Sequence, residues 1–220
     1  MGYALANDVT FCVVDDQIVF LNLGADRYHA LPRSARDVFA RLIDTQETTA
    51  EDSRILDRLV ANNVLVATDA KTSISSKVAS HIAPTRDAME PRSNWRSIVA
   101  IPTTVSHLIW TAYHLRNGRL LNLVRLIELR KRKLSRQPTV CIDSVLSSFR
   151  SAALVISPRD QCLQWSISTA LRLLGHGHSP VLVFGVAMHP FRAHCWVQDG
   201  DRVLNDSVEN VRQFEPILVI

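Results

Sequence analysis

The sequence predicts an α+β protein of two units: a small winged-helix-like module, then helices packed on an antiparallel sheet. Three observations predict this. Short β-rich runs separated by turn residues fill 9–31, then yield to apolar spacings of helical period through Asn62. A stretch rich in Ser, Thr, Pro and charge, residues 68–94, reads as a linker. Beyond it helical patterns dominate to Gly175, and strands follow. Charge divides the chain the same way. Residues 1–70 carry 6 basic and 11 acidic side chains, net −5, and residues 71–220 carry 19 and 10, net +9.

Each element has a local reason. Val9–Val14 and Gln17–Asn22 are strands with Asp15-Asp16 as their turn, and Gly24 with Asp26 turns the chain into a third strand, Arg27–Leu31. Pro32 opens a helix with Ala35, Val38, Phe39, Leu42 and Ile43 on one face. A second helix, about Thr49 to Asn62, turns Ile55, Leu56, Leu59 and Val60 inward, and Val64–Ala67 adds a strand. After the linker, Ile98–Leu115 is helical with a break near Pro102, and Leu120–Leu134 is a further helix. Its basic end, RKRKLSR at 130–136, reads as a solvated helix terminus near the negative end of the dipole, with a docking patch as the alternative. Thr139–Ala153 is a third helix. The expected boundaries are 1–67, 68–94 and 95–220.

The 220 residues, 47% apolar, suffice for one good core or two smaller ones. Cysteines at 12, 141, 162 and 195 show neither C-x-x-C nor metal-finger spacing. No basic-then-apolar leader opens the chain, and the longest apolar run, Val181–Met188, is too short to span a membrane. These features predict a reducing, cytoplasmic setting with no membrane span. The −5 charge of the first module argues against nucleic acid as its ligand.

The informative stretch is 157–206. Ser157, Pro158 and Asp160 fit an N-terminal capping pattern that places Cys162 in the first turns of a helix, where the dipole favours a thiolate. His194 lies on a strand 32 residues later, and Asp206 follows after 12 more. Cys, His and Asp in this order suit a nucleophile, its proton carrier and the group that orients the imidazole. No cofactor or metal is expected. A zinc site of Cys162, His194 and Cys195 or His176 is the rival chemistry, and it lacks the usual paired ligand spacing. Cys195 is expected to be buried packing, His176 and His178 exposed loop residues, and Trp196 a wall of the cleft. Trp165 either walls the cleft or fills the core. The Cys162 amide and Gln161 are candidate oxyanion donors.

The pieces DQCLQWSISTALRLLG, VFGVAMHPFRAHCWVQ and RVLND, above all G-V-x-x-x-P-F-x-x-H-x-W-V from Gly185 to Val197, resemble the transglutaminase-like cysteine peptidases and, more narrowly, the B proteins of lasso-peptide biosynthesis. That resemblance implies a papain/transglutaminase-like domain. It also implies a peptidase that removes the leader from a ribosomally made precursor, beside an asparagine-synthetase-like cyclase that closes the macrolactam ring. The first module is similar to the PqqD-like leader-recognition domains, through its paired strands, the D-R-Y of Asp26–Tyr28 and the closing N-N-V-L-V. This second resemblance implies that the precursor's leader adds as a strand near Arg27, Tyr28 and His29, against the last helix with Leu56 and Leu59. The alternatives are acyl transfer to an amine, or a leader-binding scaffold without catalysis.

Overall fold

The chain opens on a short strand, β1 (Gly2–Leu5), and then enters a hairpin of β2 (Val9–Val14) and β3 (Gln17–Asn22). Asp15 and Asp16 both take left-handed backbone, φ 48° and 60°, which suits the tight turn joining two right-twisted strands. Asn22 accepts the Ala25 amide at 3.0 Å and Asp26 is left-handed, so the chain returns as β4 (Arg27–Ala30) on the other edge of β3. Helices α1 (Arg33–Asp44) and α2 (Ser53–Ala61) follow, and β5 (Leu65–Thr68) pairs antiparallel with β1.

The computed structural model describes residues 2–44, 49, 52–69, 74–78, 82–88, 98–135, 137–158 and 161–220. They form two units, 1–79 and 80–220. In the first, Phe11 and Phe20 meet Phe39 of α1 edge-on, at 5.4 and 4.9 Å between centroids. Leu56 and Leu59 of α2 complete this core. The second helix begins later than its sequence pattern suggests: Asp52 is its N-cap, and its carboxylate holds the Thr49 amide and the Arg41 guanidinium.

Within 68–94 the described residues attach to both units. Ile74 is buried in the core of the first unit. Residues Arg86–Asp87 form β6, an edge strand of the second unit's sheet. Asp201 fastens that strand through Thr85 and the Arg86 guanidinium, and these bonds lower its pKa to about 2.

In the second unit come α3 (Ile101–Arg116), α4 (Leu120–Arg132), α5 (Ile142–Ala152) and α6 (Cys162–Gly175). Pro102 does not break α3. It sits in the first turn, where a missing amide costs nothing. Strands β7 (Val181–Ala187), β8 (Arg192–Asp199) and β9 (Arg202–Val203), the short helix α7 (Val208–Val211) and β10 (Glu215–Val219) complete the unit. The sheet order is β10-β7-β8-β9-β6, antiparallel except for the β6–β9 edge. The architecture is therefore α+β. Helix α6 packs on β8, and buried hydroxyls join the helices: Ser168 donates to Thr111 at 2.8 Å, and Thr104 to Ser148 at 3.2 Å. Among the described residues no helix is long and apolar enough to cross a membrane.

Candidate active site

Helix α6 starts at Cys162 itself, with Gln161 as N-cap and no side-chain cap bond. Ser157 and Pro158 precede the helix, and Asp160 lies outside the described residues. The thiol thus occupies the first helical position, closer to the positive dipole end than the capping pattern suggests. Burial opposes its ionisation. Hydrogen bonding to His194, the charge of that ring, and the amides of Cys195 and Leu163 outweigh burial and lower the pKa.

His194 stands near the start of β8, with its side chain 15% exposed. Its Nε2 bonds Asp206 Oδ2, which leaves Nδ1 for the thiol. Burial alone would push the imidazole down, but the bonds to Asp206 and Cys162 raise it to about 9. Asp206 is lowered despite its own burial. His194, the Ser207 amide at 2.7 Å and the Asn210 amide side chain at 3.0 and 3.1 Å all favour its carboxylate. The three sequence candidates therefore converge, with His194 between the other two.

A packed layer holds the imidazole in place. Phe214 stacks on it at 4.9 Å and Trp196 lies 6.1 Å away, nearly parallel. Trp196 is 1% exposed, so it supports the ring from behind and does not wall the cleft. Gly185 pairs with His194 across β7 and β8, and a Cβ there would lie 2.7 Å from Trp196 and 2.8 Å from Phe214. The glycine makes room for the stack.

Asn205 does not serve as an alternative orienter. Its Oδ1 accepts the Val197 amide and its Nδ2 donates to Ser166, whose hydroxyl donates to the Cys195 carbonyl. This clasp joins the segment before Asp206 to β8 and α6. Cys195 is buried, and burial pushes its thiol well above the usual range. His176 caps the far end of α6, about 20 Å along a 14-residue helix from Cys162, so it cannot complete a zinc site with Cys162. His176 and His178 are half-buried, and they pin Thr139 and Val140.

A cleft of about 310 Å³ adjoins Asp206. Leu146, Phe149, Trp165 and Leu204 give it an apolar lining, with Arg150 as a cation. Trp165 both lines this cleft and packs on Phe149 at 5.8 Å.

Asn210, Phe214 and Gly185 were not legible as site residues. The available signal was the D-S-x-x-N spacing: Ser207 caps α7 by accepting the Asn210 amide, which returns the Asn210 side chain to Asp206.

In the first unit, Arg27 and His29 are exposed on β4, an edge strand, and Tyr28 is half-buried. Leu56 is fully buried and Leu59 is 8% exposed. Both lie in the core of the first unit, on α2, the second helix after the β4 edge strand in the chain.

A family model described as transglutaminase-like superfamily matches residues 108–219, just over half of the chain and all three of Cys162, His194 and Asp206. Neither the curated proteins nor the solved structures give a match.

Proposed function

Because this chain belongs to the transglutaminase-like superfamily, we propose that it is a cysteine peptidase that removes the leader from a ribosomally synthesised lasso-peptide precursor. The observation that carries the chemistry is His194 bridging a thiol at a helix N-terminus and a carboxylate. The observation that carries the substrate is the Gly185–Val197 motif and its likeness to the lasso B proteins.

The Cys162 thiolate attacks the carbonyl carbon of the leader's last residue, and a C–S bond forms. As the tetrahedral intermediate collapses the C–N bond breaks, and His194 gives its proton to the departing core amine. Water, deprotonated by His194, then opens the thioester and frees the leader carboxylate. Asp206 holds the imidazole tautomer and stabilises its charged form. The Cys162 amide is one oxyanion donor, and Gln161 stands beside it as a candidate second. The apolar cleft beside Asp206 receives a substrate side chain near the scissile bond.

The first unit holds the leader as an added strand on β4, where Arg27, Tyr28 and His29 meet it over a core containing Leu56 and Leu59. The core peptide then passes to an asparagine-synthetase-like cyclase in the cytoplasm. Acyl transfer to an amine is the alternative fate of the same thioester. Incubating purified protein with a synthetic precursor, followed by mass spectrometry, tests the reading. Leader and core products with water incorporated support it, and an unprocessed precursor beside a reactive Cys162 refutes it.

A further inference from the structure

Helix α3 is apolar on two sides. Thr104, Leu108 and Thr111 face the core, while Ile109, Trp110 and Tyr113 stand 59%, 40% and 58% exposed on the opposite side. Val99, two residues before the helix, extends this exposed side at 68%. Large apolar side chains in a row on a solvent face mark a contact surface.

Beside this stripe lies a pocket of about 300 Å³, lined by Ser106, His107 and Trp110 of α3, Arg130 of α4 and Leu171 of α6. Its surroundings are cationic. Residues 98–135 contain seven Lys and Arg and a single acidic residue, Glu128. Arg172 adds a guanidinium beside His107 that donates to Thr103 at 3.3 Å. Burial, then the charges of Arg172, Arg130 and His176, hold His107 below its ordinary pKa. Arg130 and Trp110 give the pocket a cation and an aromatic wall, which suit an anionic ligand with an apolar anchor.

We infer that this face of α3, α4 and α6 docks an acidic segment of a partner protein whose aliphatic or aromatic anchor fills the Trp110–Leu171 pocket. The anchor supplies desolvation and the carboxylates meet Arg130 and Arg172. The stripe favours protein over nucleic acid, because Val99 and Ile109 offer nothing to a base or phosphate. The basic end of α4 at Arg130 is then part of a recognition surface, not merely a solvated helix end. The surface is separate from the Cys162 site, so this inference stands whether or not leader cleavage is the activity.

The test uses the full chain and fluorescein-labelled peptides read by anisotropy: an acidic peptide carrying Leu and Trp anchors, an all-Glu peptide of equal charge, and a single-stranded RNA oligonucleotide. The anchored acidic peptide should bind most tightly. Trp110→Ala and Arg130→Glu should each weaken it by about tenfold or more, with circular dichroism and Cys162 alkylation unchanged. Arg125→Glu, on the same helix as Arg130 but outside the pocket lining, should leave binding within about twofold. Tighter binding to RNA, equal binding to the all-Glu peptide, or indifference to both pocket variants overturns the inference. Concentration-dependent dimers in sedimentation equilibrium that Arg130→Glu abolishes overturn it in favour of a second copy.

Discussion

Asn210 reaches back one helical turn to hold both carboxylate oxygens of Asp206, at 3.1 and 3.0 Å. The same amide stands 3.4 Å from His194 Nε2. Asp206 therefore meets the imidazole with its other lone pairs already engaged, which fixes the carboxylate plane. Asn210 acts through Asp206, and it is a positioning residue. Asn210→Ala should lower kcat by about 1–2 orders of magnitude, by analogy with outer groups that orient catalytic ligands. KM should hardly move. The distinguishing readout is the pH profile: loss of positioning lowers the basic limb, whereas a purely structural effect scales the whole curve.

Asp206→Asn is the sharper version. It keeps a side chain of similar shape but favours the wrong imidazole tautomer, and should cost up to ~10⁴ in rate. Full activity in this variant would remove Asp206 from the mechanism.

The nucleophile is tested by Cys162→Ala, which should abolish cleavage and leave leader binding and fold intact. Ala replacements at Cys12, Cys141 and Cys195 should retain activity. Labelling experiments must treat Cys141 separately. It is exposed, and Ser144 at 3.0 Å lowers its thiol pKa, so it will also alkylate. Peptide mapping after iodoacetamide separates the two, and substrate should protect Cys162 alone.

The paired shifts of Cys162 and His194 set the pH range. The thiol lies below its ordinary value and the imidazole is raised to about 9, so the two shifts favour the thiolate–imidazolium pair. Cleavage should rise as Cys162 ionises and fall as pH passes about 9, where His194 loses the proton owed to the leaving amine. Stability follows the same sign. His194 is raised in the folded state, so its contribution is complete below the ordinary histidine range and is lost as pH rises through about 9. Asp206→Asn should move the basic limb of kcat/KM downward.

Much of this was written in the residues. Asp15-Asp16 announced the first hairpin, and the Phe39 helix followed its apolar spacing. Cys162, His194 and Asp206 stood out because their residue types and order match one chemistry. What was not legible depends on partners distant in sequence. β1 pairs with a strand some 60 residues later, and the polar 86–87 segment becomes a strand only because β9 and Asp201 receive it. Leu56 and Leu59 read as inward from their helical spacing, and both are buried. S-P-x-D at 157–160 resembles a cap, although helix α6 begins only at Cys162.

The packing beneath His194 gives a test that touches no polar group. Gly185→Ala places a methyl within 2.7 Å of Trp196 and 2.8 Å of Phe214, both in a buried layer. Phe214 and Trp196 must shift, and His194 with them. The variant should lose about 1–3 kcal/mol of stability in a denaturant titration, and cleavage should fall further than the folded fraction accounts for. Wild-type activity in folded Gly185→Ala would show that the stack does not position the ring.

The last prediction concerns leader capture. Each unit has its own core, and among the described residues β4 is an edge strand of a three-stranded sheet. The fragments to compare are 1–79 and 80–220, since cutting at 95 would remove β6 from the second sheet. Fragment 1–79 should bind a synthetic leader peptide in titration calorimetry, and Tyr28→Pro should weaken binding by removing a donor and stiffening the strand. Leu56→Ala should also weaken it, but only in step with lost stability, because the side chain lies in the core. Fragment 80–220 should keep a reactive Cys162 and cleave poorly, since tethering no longer concentrates the scissile bond at the thiol. Adding 1–79 in trans should restore only part of the rate. If the leader binds 80–220 and not 1–79, recognition belongs to the unit that carries Cys162, and the role proposed for β4 falls.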